Sequence, residues 1–381
     1  MDRTTYARAR LWTGITGVGT LVVLAATLLL LRVPDRTLAG LGGTLGADGA
    51  VLLALTLGAA LVTLPLDLVG GLLLPRRYGR FHRAPAPFLG AWLRGVVWLA
   101  LVASISGALV LAAGRSGGPL AGLTTFLGLS ALALLLQEPL ARLVGGLRRR
   151  RPSGDTVATG GDVLLLESDD PGFTGGFTGP AATIVLPRHW RRTLEPPALE
   201  ALLARRRQLR RTGAWQRGAV AALAWNTTGF GLASLLPGAG LTGLAELVTT
   251  ALGFTLWSFV GLLLLPVVSR RATTAADARL AAAEPDQRVH LRDAVRELDR
   301  LQDDEPSRSA GVQSVFHPVP AVDGRLADLD RAGGAPTPAP GLWHVARTAL
   351  FLSHVGLSLL PRAVHCNAGR PELWVYLPAD G

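Results

Sequence analysis

The sequence predicts a mainly α-helical, polytopic membrane protein with about six transmembrane helices. Three observations carry that expectation. Charged residues make up only 17% of the 381-residue chain, against about a quarter in a soluble domain. Hydrophobic residues reach 49%, and the mean hydropathy is +0.36. Six stretches, approximately 11–32, 49–75, 90–113, 119–146, 218–236 and 240–268, hold the roughly 20 apolar residues that a helix needs to cross a hydrocarbon core. This composition excludes a disordered chain and a nucleic-acid-binding tail, and no nucleic-acid partner is expected.

The net charge of +11 comes from 38 basic and 27 acidic residues, and every basic residue is Arg. In a membrane protein such charge marks cytoplasmic loops. Arg3, Arg8 and Arg10 precede the first stretch, Arg76, Arg77, Arg80 and Arg83 follow the second, Arg148 to Arg151 follow the fourth, and Arg270 and Arg271 follow the sixth. The alternating loops are short and nearly uncharged. The N-terminus, residues 147–217 and residues 269 onward are therefore expected on the cytoplasmic side of the inner cell membrane, with the lipid bilayer itself as a partner. The first stretch ends in LLLLRV without a small-residue cleavage site and reads as an uncleaved anchor.

Residues 1–146 form an N-terminal membrane region with four spans, and 218–268 supply two more. Between them, residues 147–217 hold DVLLLES (162–168) and AATIVLP (181–187), two strand-like runs around a Gly-rich turn, which suggest a hairpin. Pro196 and Pro197 open a helical segment, ALEALLARRRQLRR, with Glu200 near its start. Residues 269–330 continue as charged helix over 272–302, with a loop at SRSAGVQS (307–314). Residues 331–381 comprise a Pro-rich linker and an apolar segment, 342–360, interrupted by His344, Arg347 and His354. That segment reads as a short span, an interfacial helix or a buried packing helix, with the last two favoured.

The order of these elements resembles the integral-membrane zinc metalloproteases that include the type 1 CAAX prenyl endopeptidases and HtpX. LPLDLVGGLLLPRRYGRF followed by FLGAWLRG is similar to the family's N-terminal membrane region. DVLLLES, GFTG and ATIVLP are similar to its active-site hairpin, and SVFHPVPAVDGRLADL to its C-terminal His-Pro and Arg-Leu segment. The resemblance covers roughly residues 50–330. It implies a small cytoplasmic α+β protease-like domain containing the β-hairpin, and zinc as the family's cofactor. It also implies a substrate strand or pocket at Thr178, Gly179, Ile184, Val185 and His317.

The departure from the family lies at its centre. PPALEALLARRRQLRR sits where the family has E-x-x-A-V-L-A-H-E-x-x-H, and VSRRATTAADARLAA where it has S-R-x-x-E-x-x-A-D-x-x-A. In H-E-x-x-H the two His residues share a helix face and bind zinc, and the Glu takes a proton from the zinc-bound water. Arg205 and Leu209 stand for the two His ligands, Arg206 for the general base, and Thr273 for the downstream Glu, four residues before Asp277. Arginine offers no lone pair and stays protonated. No catalytic residue, metal ligand or cofactor is therefore expected. The four positions should nonetheless converge in one electropositive pocket on the cytoplasmic side, with Thr273 facing the helix 198–212 across its Arg205–Leu209 side.

Other groups read as structural. The single Cys366 excludes an internal disulfide. His344, His354, His365 and Cys366 lie near the C-terminus, but the ten-residue step from His344 to His354 puts them on different helix faces. Asp67, Glu138 and Glu246 lie inside the apolar stretches, where an ionisable group is a functional candidate by default. For Glu138 the simplest role is a pair with Arg142. Three functions remain open: a degenerate, inactive family member that binds or scaffolds a peptide or membrane partner, an active metallopeptidase with unconventional ligands, and a transporter or lipid-handling protein.

Overall fold

Each apolar stretch is helical over most of its length in the computed structural model, which describes residues 4–81, 83–149, 163–331 and 339–377. Arg3, Arg150, Arg151, Asp162 and linker residues 332–338 lie outside the described residues. The chain divides into two compact units, one of residues 1–145, 223–261 and 349–375, the other of 146–222, 262–348 and 376–381.

The first unit begins with α1 (Tyr6–Leu30), capped by the Thr5 hydroxyl accepting from Arg8 N at 3.3 Å, and a short α2 (Val33–Leu38). The next helix, α3 (Leu45–Leu68), loosens into a π turn at 69–73, after Pro65 has removed a backbone donor, and tightens again as α4 (Leu74–Arg77). The run Pro85–Leu135 is two helices, because Gly118 (φ 77°, ψ −179°) breaks it before Pro119. It is labelled α5, and α6 (Gln137–Gly145) follows. Among the described residues four helical runs, Tyr6–Leu30, Leu45–Arg77, Pro85–Leu135 and Leu244–Ala283, are long and apolar enough to cross a membrane. The break at Gly118 lets one of these hold two of the six expected stretches. A fifth long helix, α9 (Ala214–Ala233), carries Gln216, Arg217, Asn226 and two Thr residues and falls outside that set. On α1 and α3, Val23, Leu30, Leu61 and Val62 are all more than 60% exposed, as suits side chains that meet lipid rather than water.

The apolar segment 342–360 does not form a span. It contains α14 (Val345–Ser353), about 13 Å long at 1.5 Å per residue, less than half a hydrocarbon core. The chain then turns into α15 (Leu360–Ala363). Residues 358–375 thread through the first unit. Arg362 Nη2 donates to Asp67 Oδ2 at 2.5 Å, and Gly369 N to Asp67 Oδ1 at 2.7 Å. A Cβ at Gly71 would stand 2.1 Å from the Gly369 oxygen, so only glycine admits the strap there.

The second unit holds a four-stranded sheet in the order β1-β2-β4-β3: β1 (Arg148–Arg149), β2 (Val163–Glu167), β3 (Gly176–Thr178) and β4 (Thr183–Pro187). The expected hairpin between the two strand-like runs is corrected here, since β2 and β4 pair in parallel, with Leu164 opposite Val185. A parallel pair cannot be joined by a tight turn, and the intervening residues cross over. The hairpin is β3–β4, antiparallel, with Thr178 opposite Thr183. Behind the sheet lie α7 (Trp190–Thr193), α8 (Pro196–Arg211), the C-terminal part of α10 (Leu244–Ala283), α11 (Pro285–Gln302) and α13 (Val322–Arg331). Their apolar faces form one core around Ile184, Trp190, Leu202, Leu291 and Leu298. The expected loop at 307–314 is also corrected, because Ala310–Phe316 form a further helix, α12.

Candidate functional site

The site is built on α8. Its sixteen residues start with two prolines, whose missing N–H groups a helix can spare in its first turn. Arg205, Arg206 and Leu209 then fall on its buried side, at 0%, 0% and 3% exposure. A helix that buries two adjacent arginines must supply each with acceptors, because an unmatched buried charge is strongly unfavourable.

Arg205 meets α10. Its Nε donates to Asp277 Oδ1 at 2.5 Å. The same carboxylate accepts from Arg325 of α13, Nε to Oδ2 at 2.8 Å and Nη2 to Oδ1 at 3.2 Å. Asp277 and Arg325 are each 2% exposed. One carboxylate is thus clamped between two guanidiniums from two different helices.

Arg206 meets the sheet. Its Nη1 donates to the Val185 carbonyl of β4 and its Nη2 to the Thr174 carbonyl ahead of β3, both at 2.6 Å. The guanidinium also lies over the Trp190 ring, 5.0 Å from its centroid. Gly175 makes room for this, since its φ is +70° and a Cβ there would stand 2.1 Å from the Val185 oxygen. Beside Trp190, burial pushes His189 below the ordinary imidazole range.

The remaining expected positions are distributed as follows. Leu209 lines a crevice of about 10 Å³ with Ala272 and Ala276 of α10. Thr273, one turn before Asp277, is 2% exposed and its hydroxyl donates to the Ser269 carbonyl at 3.2 Å within its own helix. Arg205 and Arg206 are committed to internal acceptors rather than turned toward an open pocket. Thr178 lies on β3, the outer strand of the sheet, and Gly179 follows it in the turn at φ +68°. Ile184 and Val185 lie on β4, which is paired on both edges, while β3 ends the sheet and its three residues are buried. His317 follows α12, and its carbonyl accepts from Arg270 Nη1 at 2.6 Å.

Arg325, Trp190 and Thr174 are not among the sequence candidates. An Arg in the middle of the buried face of α13 was the available signal for the first.

The donor set at the four positions singled out in the sequence does not fit a zinc ion. Guanidiniums, a leucine and a threonine already bonded to its own helix supply no anionic or imidazole ligand. Three arginines against one carboxylate also oppose a divalent cation. Among the described residues no group of three or more His, Cys, Asp or Glu side chains is placed to hold a metal. The other candidates have structural partners. Asp67 accepts from Trp92 Nε1 at 2.9 Å as well as from Arg362 and Gly369. Glu246 caps α10, accepting from Gly243 N at 3.0 Å and from the Thr242 hydroxyl at 2.7 Å. Glu138 and Arg142 share α6 but form no ion pair among the described residues.

No family model and no curated protein matches the chain. Its fold is similar to that in the crystal structure of S. mikatae Ste24p, with a TM-score of 0.60 and 15% sequence identity, over 82% of this chain and 80% of that one. At that identity the likeness is one of fold.

Proposed function

We propose that this chain is an inactive homologue of the membrane zinc metalloproteases, one that binds or scaffolds a peptide or membrane partner. The likeness of fold to Ste24p, a CAAX prenyl endopeptidase, supports descent from a membrane protease. The observation that carries the rest is the state of Arg205 and Arg206. They stand where the first zinc ligand and the general base belong, and both are tied into the protein frame by Asp277 and by the Val185 and Thr174 carbonyls. A site rebuilt in this way trades chemistry for rigidity. β3, at one end of the sheet, is then the strand beside which a peptide would add, with the main-chain bonds supplying affinity. The Arg distribution in the sequence supports a cytoplasmic location of this unit, with the membrane unit in the inner membrane.

The competing reading, an active metallopeptidase with unconventional ligands, is opposed by the donor chemistry at the site. Metal analysis of the purified protein, together with casein and prenyl-peptide assays on wild type and Arg206→Ala, decides between them. We expect no stoichiometric zinc and no chelator-sensitive hydrolysis. Stoichiometric zinc, or hydrolysis abolished by both chelator and Arg206→Ala, would overturn the proposal.

A further inference from the structure

Two cavities in the first unit share a wall. The larger, about 250 Å³, lies between α1, α3 and α10, and every lining side chain is Leu, Ala or Val except Thr56 and Thr255. The smaller, about 20 Å³, lies between α3, α5 and the turn after α14, and three polar residues line it, His354, Ser358 and Arg362, besides Thr56. Thr56, Leu357 and Leu359 line both.

Two polar atoms of the residues lining the smaller cavity are unmatched within the protein. His354 Nε2 and Arg362 Nε are buried and make no hydrogen bond, although such groups are nearly always bonded. In a neutral imidazole Nε2 can serve as an acceptor. Arg362 spends Nη2 on Asp67 at 2.5 Å and keeps Nε–H as a donor. An acceptor and a donor beside one water-sized space call for a group that both donates and accepts. A hydroxyl does so, whereas an ether cannot donate, a carboxylate cannot donate, and a phosphate does not fit about 20 Å³. A third feature marks the wall itself. Leu357 has φ +64°, a left-handed conformation that a bulky residue adopts only when its surroundings impose it.

We propose that the two cavities form one binding site for a single-chain amphiphile with a hydroxyl head, of the long-chain primary alcohol class. The chain fills the apolar cavity. The hydroxyl reaches past Leu357, donates to His354 Nε2 and accepts from Arg362 Nε–H. The inference is independent of the protease-like site and stands or falls without it.

The test is saturation binding of tritiated oleyl alcohol to the purified full-length protein in detergent, with thermal melting to show that each variant is folded. We expect about one equivalent bound. His354→Leu should weaken binding about tenfold, the effect of leaving a buried hydroxyl without its acceptor. His354→Gln, which keeps an acceptor, should stay within about threefold of wild type. Ala59→Phe, which fills the larger cavity, should abolish saturable binding, and oleyl methyl ether should compete about tenfold less well than the alcohol. Uptake that does not saturate, or that is equal in wild type and Ala59→Phe, overturns the proposal. So does equal competition by ether and alcohol, which would mean that the smaller cavity holds water only, and so does a two-chain phospholipid recovered at one per protein by solvent extraction.

Discussion

Arg205 and Asp277 are 72 positions apart in sequence and meet at 2.5 Å, Nε to Oδ1, with both side chains at most 2% exposed. Arg325 closes the cluster from α13. Breaking a buried cluster of this kind on one side leaves charges that water cannot reach. Asp277→Asn should therefore destabilise the second unit by about 3–5 kcal/mol, measured by denaturant unfolding. The triple change Arg205→Met, Asp277→Leu and Arg325→Met should be milder than the single one, because it removes the charges together. A triple variant worse than Asp277→Asn would refute this account of the cluster.

Arg206 ties α8 to the sheet through two carbonyls. Arg206→Ala should cost about 2–4 kcal/mol, from two charge-assisted bonds, and should speed hydrogen exchange in residues 172–186 before other parts of the unit. Arg206→Lys should rescue little, because an ammonium cannot span both carbonyls with a planar fork. Unchanged exchange in that segment on Arg206→Ala would remove the role assigned to it.

Asp299, on α11, is pushed up to about 6, first by burial and then by its acidic neighbours Asp303 and Asp304, against the opposing pull of Arg308. Its folded value lies above the unfolded one, so the folded state binds the extra proton between them. The resulting stabilisation is complete below about pH 4 and is lost as pH rises through about 6, a change of about 3 kcal/mol. Asp299→Asn should abolish this component of the stability–pH curve. An identical curve for the variant would exclude Asp299 as its source.

In the first unit Asp67 holds the C-terminal strap through Arg362 and Gly369. Asp67→Leu and Gly71→Ala should each loosen residues 358–375, seen as proteolysis within that segment in detergent at concentrations that leave wild type intact. Gly71→Ala acts through a clash, since its Cβ would lie 2.1 Å from the Gly369 oxygen. Resistance equal to wild type in both variants would show that the strap is held elsewhere.

Topology is a separate expectation from Arg asymmetry. Reporter fusions at residues 155 and 305 should both report cytoplasm, and a signal from the far side at either would reverse the orientation.

Hydropathy by itself determined the class of this protein. Apolar runs of helical length and a small charged fraction admit few alternatives, because a lipid-facing backbone must bond to itself. The absence of the zinc motif was equally legible, since ligand chemistry belongs to residue type and not to geometry. What only the tertiary structure decided were the relations between distant segments. Strand pattern shows period, not direction, so the parallel pairing of β2 with β4 depended on where the crossover residues could pack. The apolar segment 342–360 was ambiguous because burial against protein and burial in lipid select the same side chains. Its strap-like path follows from the glycines and from Asp67, hundreds of residues away in sequence. The fate of the arginines was hidden for the same reason. A run of RRR on a helix does not name its acceptors; Asp277, Val185 and Thr174, each from another element, supply those that permit the burial of Arg205 and Arg206.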